Sequence, residues 1–384
     1  MAKQPDTTAA ISFIRRRFSL ILLAITGAAV ILRFAACMEL ADTGMVIRPP
    51  STTDMATYKE LALAVRQGNF PPFFDYQPFY YVIFLPLAWI FSPSGAILPV
   101  HLLQSLTGAA TVWLCGASAA RLFGRKGGII AALLLALSCF HIFYTPYLLL
   151  EVVFAFWSAM VLWSGLKAIE PDSRWYWSLI SGLSLSCAML TRGSALLWLP
   201  GVLLLLFLGK RRKLKSALLP CGIMVLAFIL PVLPFAVHNT RAVGKLSGAS
   251  VAGSKVLILG NSPEAPAGGL EYPRSYHQWM SEEENGGTPA SVNMRRWIFS
   301  RPLDFLELTF RKLLLFWDSG EIPNNVSFVP HADRSTVLQL PILLPWGIIA
   351  MPALAGILLL LRHFGSRRRA LLLWMCGIIW LATA

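Results

Sequence analysis

Charge is scarce in this sequence. Only 14% of its 384 residues are Asp, Glu, Lys or Arg, 56% are hydrophobic, and the mean hydropathy is +0.62. One soluble core could not hide that much apolar surface, so an ordinary soluble domain is excluded and a polytopic membrane protein is indicated. The net charge of +14 does not point to nucleic acid. Its basic residues lie in short clusters between apolar runs, where membrane topology accounts for them.

Other signatures are missing too. Cys115, Cys139, Cys187, Cys221 and Cys376 fall within apolar segments, and no CxxC or Cys/His spacing occurs, so neither a disulfide framework nor a zinc site is indicated. There is no GxGxxG and no Walker pattern, which argues against a nucleotide-bound donor. No His and carboxylate set forms a metal site. The sequence therefore requires no cofactor, and a divalent cation stays open.

What the chain has in quantity is long apolar runs. Windows able to cross a ~30 Å hydrocarbon layer need about 17 to 25 residues. They occur near 18–36, 97–119, 127–145, 148–167, 175–191, 194–209, 217–237 and 338–361, and a last run, 370–384, reaches the end of the sequence at WLATA. The fold class expected is an all-α polytopic membrane protein, a multi-span transmembrane helix bundle with interfacial helices in its first external loop and a small external segment before the eighth span. The N-terminal ISFIRRRFSLILLAITGAAVILRFAAC has the pattern of a signal peptide, but Arg33 and the spans that follow point to an uncleaved anchor. The run FYYVIFLPLAWIF, 79–91, is too short to span and contains Pro86.

With that run left out, Lys3, Arg15 to Arg17, Arg121, Arg125, Lys126, KRRKLK at 210–215, Arg362 and Arg367 to Arg369 all face inward. The expected division is a membrane core, 1–237, with its first external loop at 37–96; an external segment, 238–337; and C-terminal spans, 338–384. The setting is an inner (plasma) membrane with the loops on the periplasmic or other extracytoplasmic side. In the first loop Asp54 and Tyr58 are four residues apart, with Leu61, Leu63, Ala64 and Val65 on an apolar face. This reads as an amphipathic interfacial helix ended by Pro71-Pro72, with 79–91 as a second.

These residues resemble the first external loop of the C-type glycosyltransferases, the polyprenyl-phosphate-sugar-dependent group that includes protein O-mannosyltransferases and lipid A aminoarabinose transferases. Asp54, Tyr58, Ala62, Gly68 and Pro78 match its pattern. YLLLEVVF resembles the family's acidic second external loop, and LTRGSALLWLP its LTRP helix start. PFAVHNTRAVGKLSGASVAGSKVLILGN and FSRPLDFLELTFRKLLLFW resemble two later segments, so the likeness runs nearly the whole chain. His238 stands where the family usually has Arg, and Gln77 where the lipid A enzymes have Lys. The family normally continues for several more helices, so a truncated chain is one expectation.

The resemblance implies an inverting transfer of sugar from a polyprenyl-phosphate donor to a lipid, glycan or protein acceptor, with membrane lipids as the surrounding partners and no nucleic acid. Asp54 is the expected base, taking the proton from the acceptor hydroxyl. Glu151, at the start of a span, reads either as a helix N-terminal carboxylate or as a second acid facing the same cavity. Arg192 and Arg241, at external span ends, read as holders of the donor phosphate or as snorkelling side chains, with His238 a weaker phosphate partner. Tyr58, Gln77, Tyr80, Glu321, Asn324 and Asn325 are the candidate substrate contacts, the last three in EIPNN, which a turn explains nearly as well. A transporter or lipid-sugar flippase is the alternative. It should carry paired acids or broken helices in mid-span, whereas here the ionisable residues gather at external ends.

Overall fold

The computed structural model describes residues 7–92, 95–210, 214–362 and 365–382. Lys3 and Arg211 to Lys213, expected on the inward face, lie outside the described residues. Regular structure among the described residues is helical, apart from one isolated bridge between Ser138 and Leu344. Among the described residues, four helices are long and apolar enough, by length and composition, to cross a membrane: Arg17–Leu40, Ile97–Ala136, Glu151–Ala168 and Ala217–Val243.

The first helix, α1 (Thr7–Leu40), leads through a single turn, α2 (Gly44–Ile47), to α3 (Asp54–Arg66). Helix α3 carries Asp54 and Tyr58, as the amphipathic pattern predicts, but the proline pair does not end it. Gly68 does, at φ +83°. Its amide donates to Val65 O and that of Asn69 to Ala64 O, a left-handed glycine cap that closes the helix before Pro71 is reached. A π turn, Phe79–Phe84, then runs into α4 (Leu85–Ala88). Ten residues of helix reach at most about 15 Å, too short to cross.

Helix α5 (Ile97–Ala136) is a hairpin, not a rod. Gly124, at φ +81° and ψ 174°, reverses the chain. The two arms close onto glycines, since a Cβ on Gly128 would lie 2.7 Å from Gly116 O. The expected span 127–145 is broken at Leu137–Ser138, between α5 and α6 (Cys139–Phe143). The break is satisfied internally, as backbone away from water must be. Leu344 N donates to Leu137 O and Cys139 N to Leu344 O. Arg33, fully buried in α1, donates to Leu135 O and Ala136 O at the end of the broken helix. It passes where Gly108 leaves room, for a Cβ there would lie 3.0 Å from the Arg33 side chain.

Helices α7 (Glu151–Ala168) and α8 (Trp175–Thr191) follow, then a 3₁₀ turn at Gly193–Leu197 leading into α9 (Trp198–Lys210), then α10 (Leu214–Val243). Helix α10 runs past the expected end at 237 and carries His238 and Arg241 in its last turns. A cluster of short helices comes next: α11 (Gly253–Gly260), α12 (Arg274–Glu284), α13 (Ala290–Ser300) and α14 (Pro302–Leu315), packed around Ile258, Ala290, Met294, Trp297 and Leu308. Lys312, buried in α14, donates to Gly260 O at the end of α11 at 2.6 Å, which gives the KLLLFW and LILGN segments a shared structural task. The short α15 (Phe328–Ala332) precedes α16 (Trp346–Leu361) and α17 (Arg367–Leu381). Helix α16 starts eight residues later than the expected span 338–361, because the turns of 338–345 bring Leu344 to bridge Ser138 at the broken helix.

Candidate active site

The site is built at one end of the bundle, where two helix N-termini and one helix C-terminus meet. Thr53 caps α3, its Oγ1 accepting weakly from Ala56 N at 3.5 Å and donating to Pro50 O at 2.7 Å. Asp54 is thereby held at the first position of the helix, partly exposed. Asn325, 271 residues away, grips it at two points. The Asn325 amide donates to Asp54 Oδ2 at 3.0 Å, and its oxygen accepts from Asp54 N at 2.9 Å. The other carboxylate oxygen, Oδ1, keeps its lone pairs free of this clamp.

One turn along α3, Tyr58 lies buried at the centre of an aromatic cluster, its ring 5.8 Å from Tyr76, 5.4 Å from Tyr80 and 6.4 Å from Tyr81. Burial raises the ionisation of its hydroxyl well above the usual range, the nearby Asp54 and Glu151 charges raise it further, and Arg192 opposes them. Tyr58 therefore stays a neutral hydrogen-bonding phenol beside two carboxylates and a guanidinium. Tyr144 is pushed up to about 12 by burial and by Glu151 and Glu321, again opposed by Arg192.

Glu151 opens α7, and Arg192 ends α8 in extended conformation. They form an ion pair at 3.1 Å, with side chains 38% and 50% exposed. Glu151 Oε2 is buried and has no hydrogen-bond partner. Gln77 lies against the same corner, its amide nitrogen 2.8 Å from where a Cβ on Gly193 would sit, and its Oε1 also lacks a partner. The structure thus brings together Asp54, Tyr58, Gln77, Glu151, Arg192 and Asn325, all singled out from sequence.

The other candidates are placed differently. Tyr80 is fully buried and donates to Gln104 Oε1 at 2.6 Å. Glu321 accepts from Phe328 N and Ser327 Oγ, closing the turn ahead of α15, while its charge reaches Tyr144 and Tyr147. Asn324 is exposed. His238 donates through Nε2 to Pro71 O at 3.1 Å and stacks obliquely on Phe74. Together with Arg241 it lines a separate cleft along the end of α10, and neither touches the Glu151–Arg192 pair.

Two positioning residues escape the sequence reading. Gln104, fully buried in α5, accepts from Tyr80 and donates to Thr145 O at 2.5 Å and Tyr147 O at 2.9 Å. It ties the first loop to the turn that presents Glu151. Asn239, also fully buried, joins Phe74 of the first loop to Gly248, accepting from Phe74 N at 2.7 Å and donating to Gly248 O at 2.9 Å. The signal for both was a polar amide inside an apolar helix, a costly placement unless it is bonded. Among the described residues no group of three His, Cys, Asp or Glu side chains could hold a metal ion.

Residues 80–236 match the model of a family described as dolichyl-phosphate-mannose-protein mannosyltransferase. Among solved structures, the chain is similar to the archaeal oligosaccharyltransferase AglB from Archaeoglobus fulgidus, solved in complex with an inhibitory peptide and a dolichol-phosphate. The TM-score is 0.53 at 15% identity, covering 97% of this chain and 48% of that one. The chain spans about half the length of that neighbour. At this identity the likeness speaks for the fold alone. No curated protein matches the sequence.

Proposed function

We propose that this chain, which shares the fold of the C-type glycosyltransferases and, over residues 80–236, the sequence pattern of their mannosyltransferase branch, moves a sugar from a polyprenyl-phosphate carrier to an acceptor hydroxyl at the membrane surface. The observation that carries the reading is the convergence of Asp54, held by Asn325 from the far end of the chain, with Arg192 and the unpartnered oxygen of Glu151. Asp54 accepts the acceptor proton through Oδ1 as the hydroxyl attacks the anomeric carbon, with inversion. Arg192 stabilises the charge that develops on the departing phosphate. The free Glu151 oxygen and the Tyr58 phenol orient sugar or acceptor hydroxyls. A transporter or flippase fits less well, because the charged groups gather at the ends of the bundle, and the helix broken at Leu137–Ser138 carries no pair of acids, only Arg33 bonded to its carbonyls.

The test is to incubate membranes containing the chain with labelled polyprenyl-phosphate sugars and locate the label. Label moving to a lipid, glycan or protein acceptor, and no longer doing so with Asp54→Asn, supports the reading. Label crossing the bilayer still attached to its carrier would replace it with the flippase. The site is proposed to face the periplasm or its equivalent. Cysteines at exposed Asn69 and Asn285 should then react with an impermeant reagent in intact cells, and one at exposed Asp172 should not. The opposite pattern would invert the map.

A further inference from the structure

A second cleft lies beside the site, and its charge is of one sign. It has a volume of about 450 Å³ and runs between the segment 43–50 and the segment 330–334. Arg48 and Pro50 stand on one wall, and Pro330, His331 and Arg334 on the other. No acidic residue lines it. The Arg48 and Arg334 side chains are exposed and enter no ion pair among the described residues, although other surface arginines do. His331 Nδ1 donates to Ser327 O at 2.7 Å, because a carbonyl can only accept, so Nε2 is the ring nitrogen left for another partner. The imidazole is packed edge-on against Tyr147 at 5.5 Å, and the buried Tyr147 hydroxyl has no hydrogen-bond partner.

Both walls are anchored. Just after Arg334, the Glu39 carboxylate accepts from Ser335, Thr336 and Val337. On the other wall, Thr53 Oγ1 holds Pro50 O. Each wall also leads directly to the proposed base. Pro50 precedes Asp54 by four residues and Pro330 follows Asn325 by five, and Asp54 and Asn325 are hydrogen-bonded to each other. Even fully extended, such stretches reach no more than about 13 to 18 Å.

We propose that this cleft is an acceptor-side anion site, in which Arg48, Arg334 and His331 hold a phosphate monoester on the acceptor while a hydroxyl elsewhere on the same molecule reaches Asp54. The inference rests on the reading of Asp54 as base. Two guanidinium groups exceed what a single carboxylate would neutralise, and they suit a phosphate monoester, with its charge of about −1.5 to −2 near neutral pH, while His331 Nε2 can accept from a phosphate hydroxyl. Guanidinium groups also match phosphate oxygens in geometry as well as in sign.

The experiment measures binding, not transfer, so it stands apart from the fate of the catalytic reading. The full chain is placed in nanodiscs of phosphatidylcholine alone, or with phosphatidic acid as a lipid phosphate monoester, and lipid retention is read by native mass spectrometry. A parallel arm titrates inorganic phosphate calorimetrically in the phosphatidylcholine discs. Phosphatidic acid retained over phosphatidylcholine identifies a lipid acceptor, and phosphate bound in solution without lipid preference a soluble one. In either arm Arg48→Gln and Arg334→Gln should each weaken binding about tenfold, as expected for loss of one charge-assisted contact, and added salt should weaken it further. Arg274→Gln, an exposed arginine outside the cleft, should leave binding unchanged, and any phosphate held at the proposed donor site should be lost with Arg192→Gln while the part that the cleft variants remove remains. Thermal unfolding confirms that each variant is folded. Binding that the double Arg48→Gln/Arg334→Gln substitution leaves undiminished, or that Arg192→Gln abolishes while the cleft variants do not, overturns the proposal.

Discussion

The bundle has two charged ends, and they use charge in opposite ways. At one end Glu170 is paired twice. Its Oε1 accepts from Arg121 at 2.8 Å and Arg368 at 3.1 Å, Arg367 donates to Leu208 O, and Lys167 sits between the Trp163 and Trp177 rings at 3.9 and 3.7 Å. Three separate turns of the chain are thereby drawn together. At the other end Glu151 has one guanidinium and one oxygen left unbonded, Asp54 is clamped through a single carboxylate oxygen, and a cluster of neutral tyrosines surrounds them. Charges that only hold helices together can be satisfied by each other. Charges meant for a substrate must keep an unmet bond, and that costs stability unless the surroundings hold the group in place.

The contrast can be broken by substitution, and the largest effect should come from the proposed base. Asp54→Asn keeps the shape of the side chain and a carbonyl oxygen for the Asn325 amide, yet cannot take a proton. Transfer should fall about 10²–10⁴-fold while retention of the labelled donor is unchanged. Near-full transfer by this variant would leave the clamp a purely structural device.

Arg192→Gln should be the next most damaging. Removal of a charge-assisted contact to phosphate, worth about 1.5–3 kcal/mol, lowers kcat/KM about 10- to 100-fold. Donor affinity should fall too, because the charge contacts the ground state as well as the transition state. A change in kcat alone, at equal protein abundance, would move the phosphate to other residues.

Gln104→Leu acts on the scaffold of the open end. It leaves the Tyr80 hydroxyl and the Thr145 and Tyr147 carbonyls without their buried partner, a loss of about 1–3 kcal/mol. The expected signs are a lower unfolding temperature in detergent and a fall in kcat as the turn before Glu151 loosens. An unchanged melting curve would mean water replaces the amide.

The smallest effect should come from the Glu170 end. Glu170→Gln breaks exposed ion pairs of a kind worth about 0–1 kcal/mol, so stability should barely move and transfer should stay at the parent level. Loss of transfer here would erase the distinction between the two ends.

Several features were determined by the sequence alone, because they depend on local pattern. Apolar run length marked most of the spans, and the polar and apolar spacing around Asp54 and Tyr58 marked the helix that contains them. The resemblance singled out Asp54, Glu151 and Arg192 before their proximity was known. Local pattern failed where a distant partner settles the outcome. The window 127–145 reads as one span because its residues are apolar. It breaks because Leu344 and Arg33, remote in sequence, supply hydrogen bonds that a straight helix would not need. The window 338–361 loses its first turns for the same reason. Asn325 read as a sugar contact in a turn, and only the folded chain pairs it with Asp54. Tyr80 reads as a substrate contact, and only the folded chain shows its hydroxyl given to Gln104 of α5. Helices form from neighbours along the chain, whereas buried hydrogen bonds and anion clefts need groups that the fold alone brings within about 3 Å of each other.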